Sequence, residues 1–141
     1  MNYVSALGLD VGQKRIGVAG CDRSGLIATG LTTLERRSFQ QVVESLQVIV
    51  DARQVKTLVV GMPYTMAGEE GFQARKVKKF ADRLAKVLNL DLVYVDERLT
   101  SVEAEQLIQA ERQSSTRYKS LIDRKAAAII LQQWLDEQRT P

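Results

Sequence analysis

The chain has 141 residues, 45% of them hydrophobic and 26% charged, and a net charge of +3. These values fit one globular domain with a real core, expected to span residues 1–138. No apolar run approaches the roughly 20 residues of a membrane helix, and no secretory signal is expected, so the expected location is cytoplasmic. With no histidine and one cysteine, Cys21, the sequence excludes histidine-based zinc sites, Ser-His and Cys-His nucleophilic machinery and an internal disulfide. Catalysis would fall to carboxylates, lysines, hydroxyls or a metal held by oxygen.

The first motif is Ala6-Leu7-Gly8-Leu9-Asp10-Val11-Gly12, then Gln13-Lys14-Arg15 and Ile16-Gly17-Val18-Ala19-Gly20. Two apolar runs around a short polar turn predict a β-hairpin. Asp10 is a lone carboxylate in the first run, costly to bury unless a cation meets it. Glycines at 8 and 12 let a bulky group approach the backbone there. The alternative is an Asp that hydrogen-bonds its own turn. A third strand is expected over Leu26 to Leu34, completing an antiparallel meander.

Ser38 opens a helix, with Gln41 as its capping-box partner. Phe39, Val42, Val43, Leu46, Ile49 and Val50 form its buried stripe. Thr57 to Gly61 reads as a central parallel strand. The polar stretch 62–71 leaves its carboxyl end, the edge where ligands bind in open α/β sheets. Phe72, Val77, Phe80, Leu84, Val87 and Leu88 define a second helix carrying Arg75, Lys76, Lys78, Lys79, Arg83 and Lys86. Such a cluster suits a polyanion or is simply a solvated face. Leu90 to Val95 is the next strand. Thr100 and Glu103 cap a third helix containing Val102, Leu107 and Ile108. Gln113 to Lys119 reads as a mobile loop, and the last helix as running from about Ile122 to Glu137.

The order β-β-β-α-β-α-β-α-α implies one mixed sheet, α/β in class, whose right-handed crossovers set the later strands beside the first. Asp10, the 62–71 loop and Asp96-Glu97 then share one edge, with Asp123 at the head of the last helix. Carboxylates from three elements make an oxygen-only cage suited to Mg²⁺ or Mn²⁺. Two such ions about 3.5–4 Å apart can activate water and stabilise the leaving oxygen of a phosphodiester. Alternatively Asp123 is a helix N-cap, and Asp96 braces its strand end.

Four motifs in this order resemble the YqgF family of RNase H-like proteins, which covers the pre-16S rRNA nuclease and RuvC-like Holliday-junction resolvase descriptions. They are Gly8-Leu9-Asp10-Val11-Gly12 with Lys14-Arg15-Ile16-Gly17-Val18-Ala19; Val59-Val60-Gly61-Met62-Pro63 with Gly68; Val95-Asp96-Glu97-Arg98-Leu99-Thr100-Ser101; and Ile122-Asp123 with Ala126-Ala127 and Ile130-Leu131-Gln132. The resemblance implies an RNase H-like fold with a five-stranded mixed sheet flanked by helices. It also implies that Asp10, Glu97 and Asp123 bind the metal and act in catalysis, and that the activity is nucleic-acid cleavage linked to the 5′ end of 16S rRNA. It selects Glu97 over Asp96. The chain departs from the family pattern at Tyr64-Thr65, where Leu-Asn is commoner, and in a less basic 113–119 segment.

Lys14, Arg15 and Arg98 are expected to contact phosphates at the same edge. Arg117, Tyr118 and Lys119 are expected to meet nucleic acid from the mobile loop, Tyr118 by stacking on a base. The expected partner is pre-16S rRNA rather than a four-way DNA junction, with ribosomal particles as further candidates, no membrane, and a monomeric or homodimeric state. Rival readings are a ribosome-assembly factor that binds without cutting and a sugar-kinase-like ATPase, although the latter needs two related domains.

Overall fold

The computed structural model describes residues 3–65, 67–97 and 116–139, with the backbone alone for 116–118. Strands β1 (Ala6–Val11), β2 (Arg15–Cys21) and β3 (Ala28–Glu35) are followed by α1 (Phe39–Arg53), β4 (Thr57–Met62), α2 (Phe72–Leu88), β5 (Asp91–Asp96) and α3 (Thr116–Arg139). The sheet order is β3-β2-β1-β4-β5. β1 and β2 pair antiparallel, as do β2 and β3, whereas β4 runs parallel to both β1 and β5. This is the mixed five-stranded sheet expected from the sequence. Residues 98–115, which include the third helix expected after Thr100, lie outside the described residues.

Alternation along β1 explains the layering. Leu7, Leu9 and Val11 join Ile16, Val18, Leu58 and Val60 in a core with Val42, Leu46 and Val50 of α1 and the apolar face of α2. Ala6, on the other side, joins Ala19, Val59 and Val95 against Ala127, Ile130, Leu131 and Leu135 of α3. The sheet's own side chains are therefore large on the α1/α2 side and smaller on the α3 side. That difference lets α3 lie close to the sheet.

α1 begins as expected: the Ser38 hydroxyl accepts the Gln41 N–H at 3.1 Å. Its end differs from an ordinary glycine stop, because Gln54 takes the left-handed conformation at φ 54°. In α2 the buried face consists of Ala74, Val77, Ala81, Leu84, Ala85 and Leu88. Phe72 and Val87, expected in that stripe, are exposed instead. Ala74, Ala81 and Ala85 share the inward positions with Val77, Leu84 and Leu88.

The end of the chain corrects the sequence reading in two ways. α3 starts at Thr116, so residues 116–119 are helical rather than part of a loop, while 113–115 lie outside the described residues. Asp123 consequently sits about two turns inside the helix and cannot be its N-cap. Tertiary packing outweighs the weak local preference: Thr33 Oγ1 donates to the Ser120 carbonyl at 2.6 Å, tying the first turns of α3 to β3. Farther along, Gln132 accepts the Ala28 N–H at 2.9 Å and donates to the Leu26 carbonyl at 2.8 Å.

Candidate active site

Asp10 lies opposite Gly17 on β2, and its side chain shares the α3 side of the sheet with Gly8 and Gly17. The space above these glycines is filled by α3. A Cβ on Gly8 would stand 2.6 Å from Leu131 Cβ and 2.7 Å from the Ala127 carbonyl oxygen. A Cβ on Gly17 would collide with the backbone carbonyl of Asp123 itself. The bulky group that the bare backbone admits is the protein's own helix. This close approach brings the Asp123 carboxylate into the neighbourhood of Asp10.

Glu97 follows the last residue of β5. Its side chain folds back over Gly61 of β4, where a Cβ would come within 2.9 Å of both Glu97 Cγ and Oε1. Glu97 hydrogen-bonds Asp10 there. Burial, followed by the charge of Asp10, the hydrogen bond and then Asp96, pushes the Glu97 carboxyl up to about 8. Asp10 is also raised above the usual carboxylate range, chiefly by burial and also by the negative charge of Asp123, with the Glu97 hydrogen bond partly offsetting them. Two carboxyl groups this close cannot both ionise cheaply, so the pair holds a proton near neutrality.

Asp123 is engaged differently. Arg15 Nε donates to its Oδ2 at 2.6 Å, and both side chains are partly shielded from solvent. Among the described residues, no three ligating side chains converge tightly enough to enclose an ion. Asp10 and Glu97 touch, and Asp123 stands beside them held by Arg15. Arg15, expected to contact phosphate, thus pairs with a carboxylate.

Lys14 is exposed in the β1–β2 turn, and its carbonyl accepts the Arg36 N–H at 2.8 Å. Lys119 is half-buried in the first turns of α3, and Arg117 and Tyr118 lie on the same turns. Arg98 lies outside the described residues. In the 62–71 loop the Gly68 N–H donates to the Thr65 carbonyl at 2.8 Å, with Gly68 at φ 83°, which favours glycine. Sequence reasoning missed Gly17 and Gly61 as site-forming positions. The signal available to it was a glycine inside an apolar strand, which marks close backbone approach.

A five-stranded mixed sheet with acidic residues at the ends of β1 and β5 and on the covering helix defines an RNase H-like protein. The same fold occurs in RuvC of Thermus thermophilus, solved in complex with a Holliday junction substrate, at a TM-score of 0.61 with 11% identity and 96% of each chain covered. A second Thermus thermophilus RuvC structure matches at a TM-score of 0.55. Residues 4–137 match the RuvX family, described as Holliday junction resolvase, and the chain belongs to that family of nucleases. Curated relatives bear a provisional pre-16S rRNA nuclease name. One from Trichormus variabilis is 67% identical over 98% of this chain and 91% of its own length. Another from Synechococcus elongatus is 59% identical over 100% of this chain and 95% of its own.

Proposed function

We propose that this protein is a divalent-metal-dependent endonuclease that cuts phosphodiester bonds at the 5′ end of pre-16S rRNA, with Asp10, Glu97 and Asp123 as its catalytic carboxylates. The observation that carries the reading is the half-buried, hydrogen-bonded Asp10–Glu97 pair beside Asp123. A site that raises two carboxyl groups together is one that a cation would relieve. The donor set is all oxygen, which fits Mg²⁺ or Mn²⁺. Asp10 and Glu97 would hold the metal, and Asp123 would join on exchanging Arg15 for it. A bound pair of ions would supply charge to acidify the attacking water and to stabilise the leaving oxygen.

The chain's own residues do the rest. Glu97 gives up the shared proton when the site is loaded, so loading is favoured by rising pH. Arg15 orients Asp123 in the free protein and, once released, is placed to meet a phosphate oxygen next to the scissile bond. Lys14 and Arg98 serve as further phosphate contacts, and Arg117, Tyr118 and Lys119 grip the strand from the first turns of α3. These contacts predict binding that weakens steeply with salt.

The name borne by the relatives supports pre-16S rRNA as substrate. The family description supports a second reading, cleavage of a four-way DNA junction, which would use the same carboxylates but needs a symmetric dimer to place two nicks. One experiment separates them: Mg²⁺-dependent cleavage of a 16S precursor and of a four-way junction by wild type and Asp10→Asn. Cleavage of the precursor alone, lost in the variant, is the expected result. Cleavage of the junction alone would transfer the assignment to resolution. Binding of either without cleavage would make the protein an assembly factor and end the nuclease reading.

A further inference from the structure

A groove of about 580 Å³ runs between the β1–β2 turn and α2, on the side of the sheet away from α3, lined among others by Gly12, Gln13, Arg36, Lys76, Lys79 and Arg83. Four of these carry positive charge, and none of the lining residues is acidic. On the neighbouring elements, Glu70 pairs with Lys78, Glu35 pairs with Arg37, and Asp82 accepts from the Tyr94 hydroxyl. A solvated helix face ordinarily interleaves both signs of charge.

The two arginines are also held in place. Arg36 Nη1 donates to the Gly12 carbonyl at 2.7 Å, and its guanidinium lies 4.2 Å from the Phe80 ring centre. The Arg83 guanidinium lies 3.9 Å from the centre of Phe39. Phe39 and Phe80 meet edge to face at 5.8 Å. Stacking on aromatic rings fixes each planar cation and lowers the entropy lost when its remaining N–H groups bind an anion. Gly12, which anchors Arg36, is two residues beyond Asp10, so the groove begins where the carboxylate edge ends.

We propose that this groove binds the phosphodiester backbone of single-stranded nucleic acid, as the continuation of a strand that passes the carboxylates and crosses the turn at Gly12. A cavity of this size accommodates one backbone with a base or two rather than a duplex, and phosphates are the repeating anion that four fixed and flexible cations can track. The placement of the strand at Asp10 rests on the nuclease reading, whereas binding in the groove stands by itself.

The test is the salt dependence of binding a fluorescent oligouridylate of about 15 nucleotides in EDTA, where cleavage cannot contribute. Lys76→Ala with Lys79→Ala should weaken binding about tenfold at low salt. It should also lower the slope of log K against log salt by about 1.4, two phosphate contacts' worth for a single strand. Arg23→Ala with Lys56→Ala, which removes equal charge from the hollow at the opposite end of β1, should leave the slope unchanged. Equal loss in both double variants, or an unchanged slope in the groove variant, would overturn the proposal. So would poly-glutamate competing as well as the RNA, which would make the groove a site for acidic protein. Cleavage by the wild type is scored separately in Mg²⁺. A normal slope change without cleavage fails the nuclease reading alone, and cleavage with no slope change fails the groove alone.

Discussion

Gly17→Ala tests whether α3 is held against the sheet in order to place Asp123. The added Cβ would meet the Asp123 carbonyl far inside 3.0 Å, a separation real Cβ atoms essentially never show. The obstacle is helix backbone, which cannot swing aside as a flexible side chain can. Restoring ordinary contact requires the helix to retreat by about 1–1.5 Å. Ala127, Ile130, Leu131 and Leu135 are almost fully buried beneath it, and a gap of that width forfeits roughly half or more of each contact's attraction. The expected cost is about 1–3 kcal/mol, the range for overpacking a tight core. For a domain of this size that lowers Tm by roughly 3–10 °C. The same retreat carries Asp123 away from Asp10, and about 1 Å of misplacement costs on the order of a hundredfold in rate. Differential scanning fluorimetry and cleavage of a 16S precursor in Mg²⁺ read the two effects. Wild-type Tm would refute the close packing, and lost stability with wild-type turnover would refute its role in placing the carboxylate.

Asp10→Asn should abolish Mg²⁺-dependent cleavage and leave Tm in EDTA unchanged or raised, because removing one of several crowded carboxylates relieves repulsion; cleavage at the wild-type rate would remove Asp10 from the site. Glu97 in the folded chain is raised from 4.5 to about 8, so between those values the folded state binds more protons than the unfolded one. Stability without metal should therefore fall as pH rises from about 4.5 to 8, and Glu97→Gln should flatten that fall in a series of melts in EDTA. A variant with the wild-type profile would show that the proton resides elsewhere. Arg15→Gln, which frees Asp123 from its 2.6 Å partner, should tighten Mn²⁺ binding several-fold by calorimetry while weakening RNA binding; weaker Mn²⁺ binding would mean that Arg15 prepares the site rather than competing for it.

Much of this protein is legible in residue order alone. Apolar runs of strand length between helical periods specify the three-strand meander and the later parallel strands, because side-chain period and turn chemistry are local properties. The crossover rule then places the ends of β1 and β5 together, and with them Asp10 and Glu97. Local reasoning fails where long-range contact overrides propensity. Residues 116–119 carry the polar composition of a loop, yet they are helical, since β3 supplies partners such as Thr33 that no window around Ser120 contains. The alternative of Asp123 as a helix cap likewise falls once the helix is seen to begin two turns earlier. Only the folded chain decides that Glu97 reaches over Gly61 to Asp10 and that Arg15 takes Asp123. Both pairings join residues from separate elements, and the second depends on how near α3 can lie to bare backbone. That spacing is fixed by the absence of side chains at Gly8 and Gly17, which a residue-by-residue reading records only as glycines.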